Sequence, residues 1–262
     1  MKEWFQLVEK LRPSIVKIET PDGHGTGFLF AYNENRAVTA IATAHHVVEH
    51  ANKWLQPIRL HNAASQETVV LKENQRVIWP NKDRRIDSAA ILVPTGIVES
   101  LKFPEKPIGF IPPGKHLKVG NEVGWFGFPS IGPDTLCFFA GRISAWQKTG
   151  SEYLIDGVAI NGVSGGPIFH RRGAGVIIIG AITAYMPNRL TAATLPGLSI
   201  AQDVSHFQEI LNEINSWDEA ERKKKEQEAF VAKSQETTPD PSAAEGAPGT
   251  ESPVPTAHKR VL

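Results

Sequence analysis

The sequence predicts an all-β protein that carries a short helix at its N-terminus and a longer helix near its C-terminus. Most of the chain has its apolar residues in short runs separated by Gly, Pro, Asn and Asp, a pattern typical of a β-sandwich or β-barrel. The two ends instead carry apolar residues at helical spacing. With 262 residues, 41% of them hydrophobic, the chain can bury one large core or two modest ones.

Strands are predicted wherever β-branched and aromatic residues cluster between turn residues. These runs are Ser14–Thr20, Gly27–Tyr32, Arg36–Ala42, Thr68–Leu71, Ala89–Val93, Glu122–Gly127, Leu136–Ile143, Val158–Ile160, Pro167–His170 and Val176–Ala184. A proline-rich stretch from Phe103 to Gly114 divides the runs into two groups. It predicts a connection between two β units.

Helical periodicity marks both ends of the chain. Trp4, Val8 and Leu11 fall on one face of a short amphipathic helix. Residues 204–232 repeat this spacing, with apolar positions at Phe207, Ile210, Leu211, Ile214 and Trp217. From residue 218 the pattern becomes almost wholly charged, which predicts a segment that projects into water or binds a protein partner. Residues 233–262, rich in Pro, Ser, Thr, Ala, Glu and Gly, predict a disordered tail.

Charge and composition argue against several classes of function. The chain has 28 Lys and Arg residues and 28 Asp and Glu residues, so it lacks the excess of positive charge that would predict a nucleic-acid partner. The apolar run Val176–Ile182 is strand-sized, well short of the roughly 18 residues of a membrane helix. Residues 1–11 lack the continuous apolar core of a signal peptide, and Cys137 has no second cysteine to pair with. We therefore expect a soluble, cytoplasmic protein with no membrane partner.

A serine between glycines is the strongest functional signal. The stretch Ile160–Pro167 reads Ile-Asn-Gly-Val-Ser-Gly-Gly-Pro. Glycine permits a sharp turn that exposes the Ser164 hydroxyl, and the N–H groups of Gly162 and Ser164 could then converge on one developing oxyanion. The pattern predicts acyl-transfer chemistry, with an ordinary tight turn between strands as the alternative.

Acyl transfer by a serine also requires a base and an acid. A serine hydroxyl is a weak nucleophile, so a histidine must take its proton and a carboxylate must orient that histidine. Adjacent histidines, His45 and His46, follow one predicted strand, and Asp87 precedes another. The order His, Asp, Ser differs from the Ser, Asp, His order of the α/β-hydrolases.

Five further blocks are similar to those of one protease family. They are Gly23–Leu29, Thr43–Val47, Asp87–Ala89, Gly120–Pro129 and Gly141–Ser144. With the serine motif, they resemble the trypsin/chymotrypsin-like serine proteases, most closely in pattern the HtrA-like, disulfide-free, bacterial-type branch, here without a PDZ domain. The resemblance implies a chymotrypsin-like double β-barrel. Residues 1–108 would form the N-terminal helix and first barrel, residues 109–203 the second barrel, and residues 204–232 the C-terminal helix.

The resemblance also implies a role for each site residue. Ser164 would be the nucleophile and His46 the general base and then acid. Asp87 would fix the tautomer of His46. Gly162 and Ser164 would supply the oxyanion-hole amides. The site would lie in the cleft between the two barrels.

Two of these assignments have neighbours as alternatives. His46 is favoured over His45 because the family's histidine is typically followed directly by an apolar residue, as Val47 follows here. Asp83 is the alternative to Asp87, but it lies outside the apolar strand that would hold the group rigid.

The resemblance extends to substrate binding. Val158, six residues before the serine, occupies the position at the base of the family's specificity pocket, and it predicts an apolar or small residue before the cleaved bond. Ile182, Thr183 and Ala184 would form an open strand edge to which an extended peptide could add. Val163 stands where zymogen-activated members carry an aspartate, so activation by a newly cut N-terminus is not expected.

Other functions share parts of these motifs. His46, Glu49 and His50 match the H-x-x-E-H spacing of a zinc metallopeptidase, although strand signals flank the segment. Gly162–Gly166 also satisfies the esterase pattern G-x-S-x-G, which requires a helix directly after the serine where a strand is predicted. A further alternative is a protease-like binding or regulatory module, catalytically silent or dependent on a trigger. We expect a protein or peptide substrate, no cofactor and no metal.

Overall fold

The computed structural model describes residues 3–83, 85–187 and 194–236. Three α-helices lie in this part of the chain: α1, Trp4–Leu11; α2, His45–Lys53; and α3, Ser205–Glu236. The strands are β1 Ile15–Thr20, β2 Gly23–Tyr32, β3 Val38–Thr43, β4 Ile58–Asn62, β5 Thr68–Leu71, β6 Val77–Pro80, β7 Ala89–Pro94, β8 Glu122–Gly127, β9 Cys137–Gln147, β10 Glu152–Gly157, β11 Pro167–Arg172, β12 Gly175–Pro187 and β13 Thr194–Asp203.

Two antiparallel sheets are built from these strands. The first sheet has seven strands in the order β5-β4-β1-β2-β3-β7-β6 and forms a half-barrel. The second is a closed barrel in the order β10-β13-β12-β11-β8-β9. This architecture, with a helix at each end, confirms the predicted all-β, chymotrypsin-like class.

The sequence predictions of individual strands were less complete. The predicted strand Val158–Ile160 is wrong, because these residues follow the end of β10 and the carbonyl of Ile160 closes a turn with the N–H of Val163. Four strands, β4, β6, β10 and β13, were not predicted. In β4, apolar residues alternate with Arg59 and His61, so the run is too short and too polar to stand out.

The buried apolar residues form two separate hydrophobic clusters. The smaller one lies within the first sheet and includes Ile41, Val48 and Ile91, so it fixes α2 and the strands beside it. The larger one joins the outer face of the first sheet to the barrel and to the start of α3. Phe207 of α3 packs its ring 5.9 Å from Phe28.

The chain divides after Asp218 into two compact units. Within the first unit, α3 buries Phe207, Ile210 and Ile214 of the predicted apolar face, whereas Leu211 is half-buried and Trp217 is exposed. Residues 219–230 are exposed, as the charged pattern predicts. The helix extends to Glu236, and the rest of the predicted disordered tail lies outside the described residues. Within the described part of the chain, no helix is long and apolar enough to cross a membrane.

Candidate active site

The register of β3 against β7 brings a histidine and an aspartate together. Thr43, the last residue of β3, pairs with Ala89, the first residue of β7. The chain leaving β3 therefore lies beside the chain entering β7. His46 is in the first turn of α2, directly after β3, and Asp87 lies just before β7.

Asp87 contacts His46 through both of its carboxylate oxygens. Oδ2 lies 2.6 Å from the ring atom Nδ1 of His46, and Oδ1 accepts a hydrogen bond of 3.0 Å from its backbone N–H. The second bond satisfies an amide that the first turn of a helix leaves without an intrahelical acceptor. Because the carboxylate occupies Nδ1, the atom Nε2 is the one left to exchange a proton with another group.

His46 and Asp87 each shift the pKa of the other. The hydrogen bond to Asp87 raises the pKa of His46 above 6.5, against the opposing effect of burial, and the charges of Asp87 and Glu49 add to the rise. Burial alone would raise the pKa of Asp87, but the hydrogen bonds and charge of His46 outweigh it and lower that pKa below 3.8. Asp87 is therefore ionised near neutral pH.

The neighbouring alternatives have different partners. Arg85 forms a salt bridge to Asp83, with 2.7 Å between Nη2 and Oδ2, and this bond lowers the pKa of the exposed Asp83 to about 2. No hydrogen bond joins His45 to an acid within the residues described. His50, at the other end of the zinc-like spacing, has Nδ1 at 3.1 Å from Oε1 of Gln56.

Ser164 lies between two consecutive turns in the loop from β10 to β11. The N–H of Val163 donates to the carbonyl of Ile160 at 3.1 Å, and the N–H of Gly166 donates to the carbonyl of Val163 at 2.9 Å. The third residue of each turn is a glycine with positive φ, +90° at Gly162 and +85° at Gly165. This backbone is why the motif needs glycine at both positions.

Hydrogen bonds fix the orientation of the peptides in this loop. The carbonyls of Asn161 and Val163 accept from the N–H groups of Ser130 and Gly166, at 2.8 and 2.9 Å. A trans peptide points its carbonyl and its N–H in opposite directions, so the N–H groups of Gly162 and Ser164 point away from those donors. Neither of these two N–H groups donates to an acceptor in residues 3–83, 85–187 or 194–236. The serine loop thus has two unpaired N–H groups, one from Gly162 and one from Ser164 itself, as an oxyanion hole requires.

The serine loop packs directly on the histidine segment. A Cβ at Gly165 would overlap the carbonyl oxygen of Thr26 and would lie 2.9 Å from the N atom of Ala44, two residues before His46. The Ser164 hydroxyl, half-buried, makes no hydrogen bond to any described group. Catalytic hydrogen bonds are often long without substrate and tighten when it binds.

Thr26 is a site residue that the sequence analysis did not single out. It is fully buried in β2 and makes hydrogen bonds to the loop around Ser164. Its N–H donates to the carbonyl of Ser164 at 2.7 Å, and its hydroxyl donates to the carbonyl of Gly162 at 2.9 Å. The available signal was a hydroxyl residue between two glycines in an otherwise apolar strand.

The fold agrees with comparisons to known proteins. The profile of the trypsin-like peptidase domain matches residues 25–177, more than half of the chain. The chain belongs to the trypsin-like peptidase family. It is thus of the serine endopeptidase class.

Solved protease structures share the fold of this trypsin-like peptidase at low sequence identity. An inactive form of the Rv3671c protease of M. tuberculosis has a TM-score of 0.54 and 19% identity, over 79% of this chain and 91% of that one. A serine endoprotease from Yersinia pestis gives 0.57 and 16%, over 82% and 67%. An HtrA-type protease solved with a tripeptide gives 0.58 and 16%, over 81% and 64%. No curated protein sequence matches significantly.

A pocket of the trypsin-like peptidase opens beside the serine loop. Its volume is about 300 Å³, and it is lined by Ser130, Ile131, Ile160, Asn161 and Tyr185. Val158, the residue predicted at the pocket base, is 39% exposed and does not belong to this lining. None of the described residues in this lining has an acidic or basic side chain.

The predicted substrate edge of β12 begins one residue later than expected. The backbone of Ile182 is already used, because its N–H donates to Gly166 at 2.9 Å and its carbonyl accepts from Gly165 at 2.6 Å. Pairing with β11 ends at Ala181. Thr183 is buried and Ala184 is exposed, so the edge suited to an extended peptide starts at Thr183.

In this trypsin-like peptidase, the residue after Asp87 is held in place by helix α3. The hydroxyl of Ser88 lies 2.6 Å from Nδ1 of His206, in the first turn of α3, and both side chains are buried. Burial, aided by the charge of His45, lowers the pKa of His206 to about 4, so the ring is neutral near neutral pH. A neutral Nδ1 can accept the Ser88 hydroxyl proton in a hydrogen bond. This bond ties α3 to the residue next to Asp87.

Proposed function

We propose that this chain hydrolyses peptide bonds through an acyl-enzyme, with Ser164, His46 and Asp87 as its catalytic triad. The observation that carries the proposal is the pair of bonds from Asp87 to His46, at 2.6 and 3.0 Å, beside a serine loop with two unpaired amides. The ring is thereby held in one tautomer and one orientation.

Each step follows from these groups. Nε2 of His46 takes the hydroxyl proton of Ser164 as the oxygen attacks the scissile carbonyl carbon. The N–H groups of Gly162 and Ser164 donate to the oxyanion that forms. His46 then gives its proton to the leaving amine, the C–N bond breaks, and an ester to Ser164 remains. Water, deprotonated by His46, attacks that ester, the bond between the acyl carbon and the Ser164 oxygen breaks, and His46 returns the proton to that oxygen as the acid product leaves.

The substrate is a protein or peptide, as the family implies, and an apolar or small residue precedes the cleaved bond. The 300 Å³ pocket beside the serine loop supports this preference, because Ile131, Ile160 and Tyr185 line it and none of its described residues is an acid that could pair with Lys or Arg. The free edge from Thr183 to Ala184 would hold the peptide backbone as an added strand.

The charged part of α3 would contact a protein partner. Its side chains from Glu219 to Phe230 are exposed, and its charges mainly pair with each other one turn apart, as Lys223 does with Glu219 at 2.7 Å. Such a surface suits a polar, reversible contact.

A trigger-dependent protease-like module is the second candidate. It is favoured by one observation: the Ser164 hydroxyl makes no hydrogen bond to His46 within the described residues. Activation would then require a ligand that brings the two side chains together.

Fluorophosphonate labelling distinguishes these candidates. The Ser164 oxygen attacks phosphorus, fluoride leaves, and the hydroxyl proton passes to His46, so the probe reports an activated serine. We expect labelling of the full chain that a metal chelator does not change. Ser164→Ala and His46→Ala should abolish it.

Two matched controls sharpen the test. His45→Ala should label like wild type, because only His46 contacts Asp87. Asp83→Asn should also label normally, whereas Asp87→Asn should lose about 10³- to 10⁴-fold in labelling rate. Folded wild-type protein that fails to label would contradict the constitutive enzyme, and peptidase activity that a chelator removes, without any labelling, would favour the zinc alternative.

A further inference from the structure

We propose that Thr26 and His24, both on β2, are positioning residues that hold the oxyanion hole formed before substrate binds. These two residues are called the latch below. The inference rests on the proposed function and goes beyond it, because it assigns the control of the Gly162 amide to two side chains of the first sheet.

The Thr26 hydroxyl bridges two segments of the second barrel. It donates to the carbonyl of Gly162 at 2.9 Å and accepts from the N–H of Phe128 at 3.1 Å. Both capacities of the hydroxyl are therefore used inside a fully buried site. If the peptide between Gly162 and Val163 turned over, a buried carbonyl and a buried hydroxyl would lose their partners. Leaving a buried polar group unpaired costs about 1–3 kcal/mol, which opposes that motion.

The backbone of Thr26 connects the same loop to the histidine strand. Its N–H donates to the carbonyl of Ser164 at 2.7 Å, and its carbonyl accepts from the hydroxyl of Thr43 at 2.8 Å. Thr43 ends β3, three residues before His46. Thr26 thus fixes the position of Ser164, of the turn that contains Gly162, called the oxyanion turn below, and of strand β3, which leads to His46.

His24 closes the latch from the other side of the turn. Its Nε2 lies 3.1 Å from the carbonyl oxygen of Phe128, the residue whose N–H binds Thr26. A Cβ at Gly162 would come within 2.5 Å of the same Nε2. The imidazole therefore packs against the oxyanion turn itself and occupies the space into which the turn would move.

The Phe128 segment transmits this restraint to the amide of Gly162. Two residues after Phe128, the N–H of Ser130 donates to the carbonyl of Asn161 at 2.8 Å. That bond fixes the direction in which the N–H of Gly162 points. The latch holds Phe128, Phe128 leads to Ser130, and Ser130 orients the peptide that carries the oxyanion donor.

Thr26→Val tests the hydroxyl without changing the shape of the side chain. The expected result is a 10- to 100-fold lower rate of fluorophosphonate labelling, of the order seen when an oxyanion donor is lost or misplaced. Affinity for an aryl boronic acid, which forms a tetrahedral adduct on serine, should fall in parallel. The apparent pKa of the pH–rate profile should stay where wild type has it, because the hydroxyl touches neither His46 nor Asp87. Thr26→Ser should restore most of the rate.

Thr39→Val is the matched control. Thr39 is also a fully buried strand threonine, but its hydroxyl bonds Thr95 at 2.9 Å, at the far end of β3 from the site. It should lose stability as Thr26→Val does and keep the wild-type labelling rate. Equal rates in the two folded variants would overturn the proposal.

His24→Leu is a second variant for the case in which Thr26→Val fails to fold. His24 is half-buried, so its removal is tolerated more easily, and labelling should fall several-fold. His61→Leu, at another half-buried strand histidine with its ring 3.0 Å from Thr68, is the control and should label normally. No difference between them would reject the latch. Folded wild type that does not label at all would instead reject the proposed function.

Discussion

Asp87 serves His46 in two ways at once. One oxygen orients the imidazole at 2.6 Å, and the other binds the backbone N–H of the same residue at 3.0 Å. Rotation of the carboxylate would break both bonds together, so each contact stabilises the geometry of the other. The orientation of the His46 ring thus depends on the backbone at the start of α2 as well as on the bond that the ring itself makes to Asp87.

This pairing predicts the pH dependence of the enzyme. Asp87 raises the pKa of His46 above 6.5, so the ring stays protonated, and inactive as a base, to a higher pH than an ordinary histidine. The labelling rate should therefore fall as the pH decreases through an apparent pKa above 6.5. The measurement is the second-order labelling rate from about pH 5 to about pH 9.

A single charge provides the control for this profile. Glu49, exposed on α2, also raises the pKa of His46, so Glu49→Gln should lower the apparent pKa while leaving the plateau rate unchanged. An ascending limb at or below 6.5 in wild type would show that Asp87 does not bind the ring in solution.

Candidate site residues were predictable where a short stretch of sequence contains the whole motif. The serine between glycines and the histidine after a strand are both readable in short windows, and the structure brings His46 to Asp87 as expected. Thr26 was not predictable as a site residue, because its partners Gly162 and Phe128 are more than a hundred positions away. Nothing near Thr26 in the sequence indicates which backbone groups it will meet.

At the level of elements, α3 is a support for the site and not only the end of the fold. Phe207 packs between Phe28 and Phe110, at 5.9 and 6.4 Å, while the preceding residue, His206, binds Ser88 beside Asp87. The same helical turn therefore joins the larger core and the segment that carries Asp87, the proposed triad carboxylate.

The burial of His206 predicts an acid-sensitive step in stability. Its pKa is about 4 in the folded chain and about 6.5 when unfolded, so the unfolded chain binds a proton first as the pH falls. The stabilisation is complete above pH 6.5 and is lost towards pH 4, by roughly 3 kcal/mol in total. His206→Asn, which does not titrate, should lose less stability between these limits, as measured by urea unfolding.

The control for this measurement is a histidine that is exposed. His116 stacks on Trp146 at the surface, so His116→Asn should keep the acid sensitivity of wild type. Equal acid-induced losses in wild type and His206→Asn would mean that another group causes the effect.

The one strand that was predicted wrongly lies next to the serine loop. Val158–Ile160 carry the apolar, β-branched residues of a strand, but the hydrogen bond from Val163 to Ile160 turns them into the entrance of the serine loop. Tertiary contacts decided the path of the chain here, because Ser130 and Thr26 bind the carbonyls of Asn161 and Gly162, the two residues that follow this segment. By contrast Glu122–Gly127, a strand buried along almost its whole length, was predicted to the residue.

For the whole molecule, the proposed catalysis depends on how the two sheets meet. His46 and Asp87 come from the first sheet, and Ser164 comes from the barrel. Thr26 crosses that boundary with two hydrogen bonds to the serine loop, and the larger core spans it as well. The double-barrel class was predictable from several ordered motifs, whereas the contacts across the cleft were not, since no local pattern encodes them.

The division of the chain after Asp218 predicts where it can be shortened. Trp217 stacks on Trp79 at 5.5 Å, and Asp218 accepts a hydrogen bond from the side chain of Asn33 at 3.1 Å, so the first unit needs α3 to this point. A chain that ends at Asp218 should keep the labelling rate and the melting temperature of the full chain within a few degrees.

A chain that ends at Asp203 is the informative comparison. It loses the buried side chains of Phe207, Ile210 and Ile214, each worth about 2–5 kcal/mol on truncation to alanine, against a typical total stability of about 5–15 kcal/mol. We expect it to be unfolded by circular dichroism and inert to the probe. Loss of labelling in the folded chain ending at Asp218 would contradict this division. It would also mean that the charged end of the helix acts on the active site.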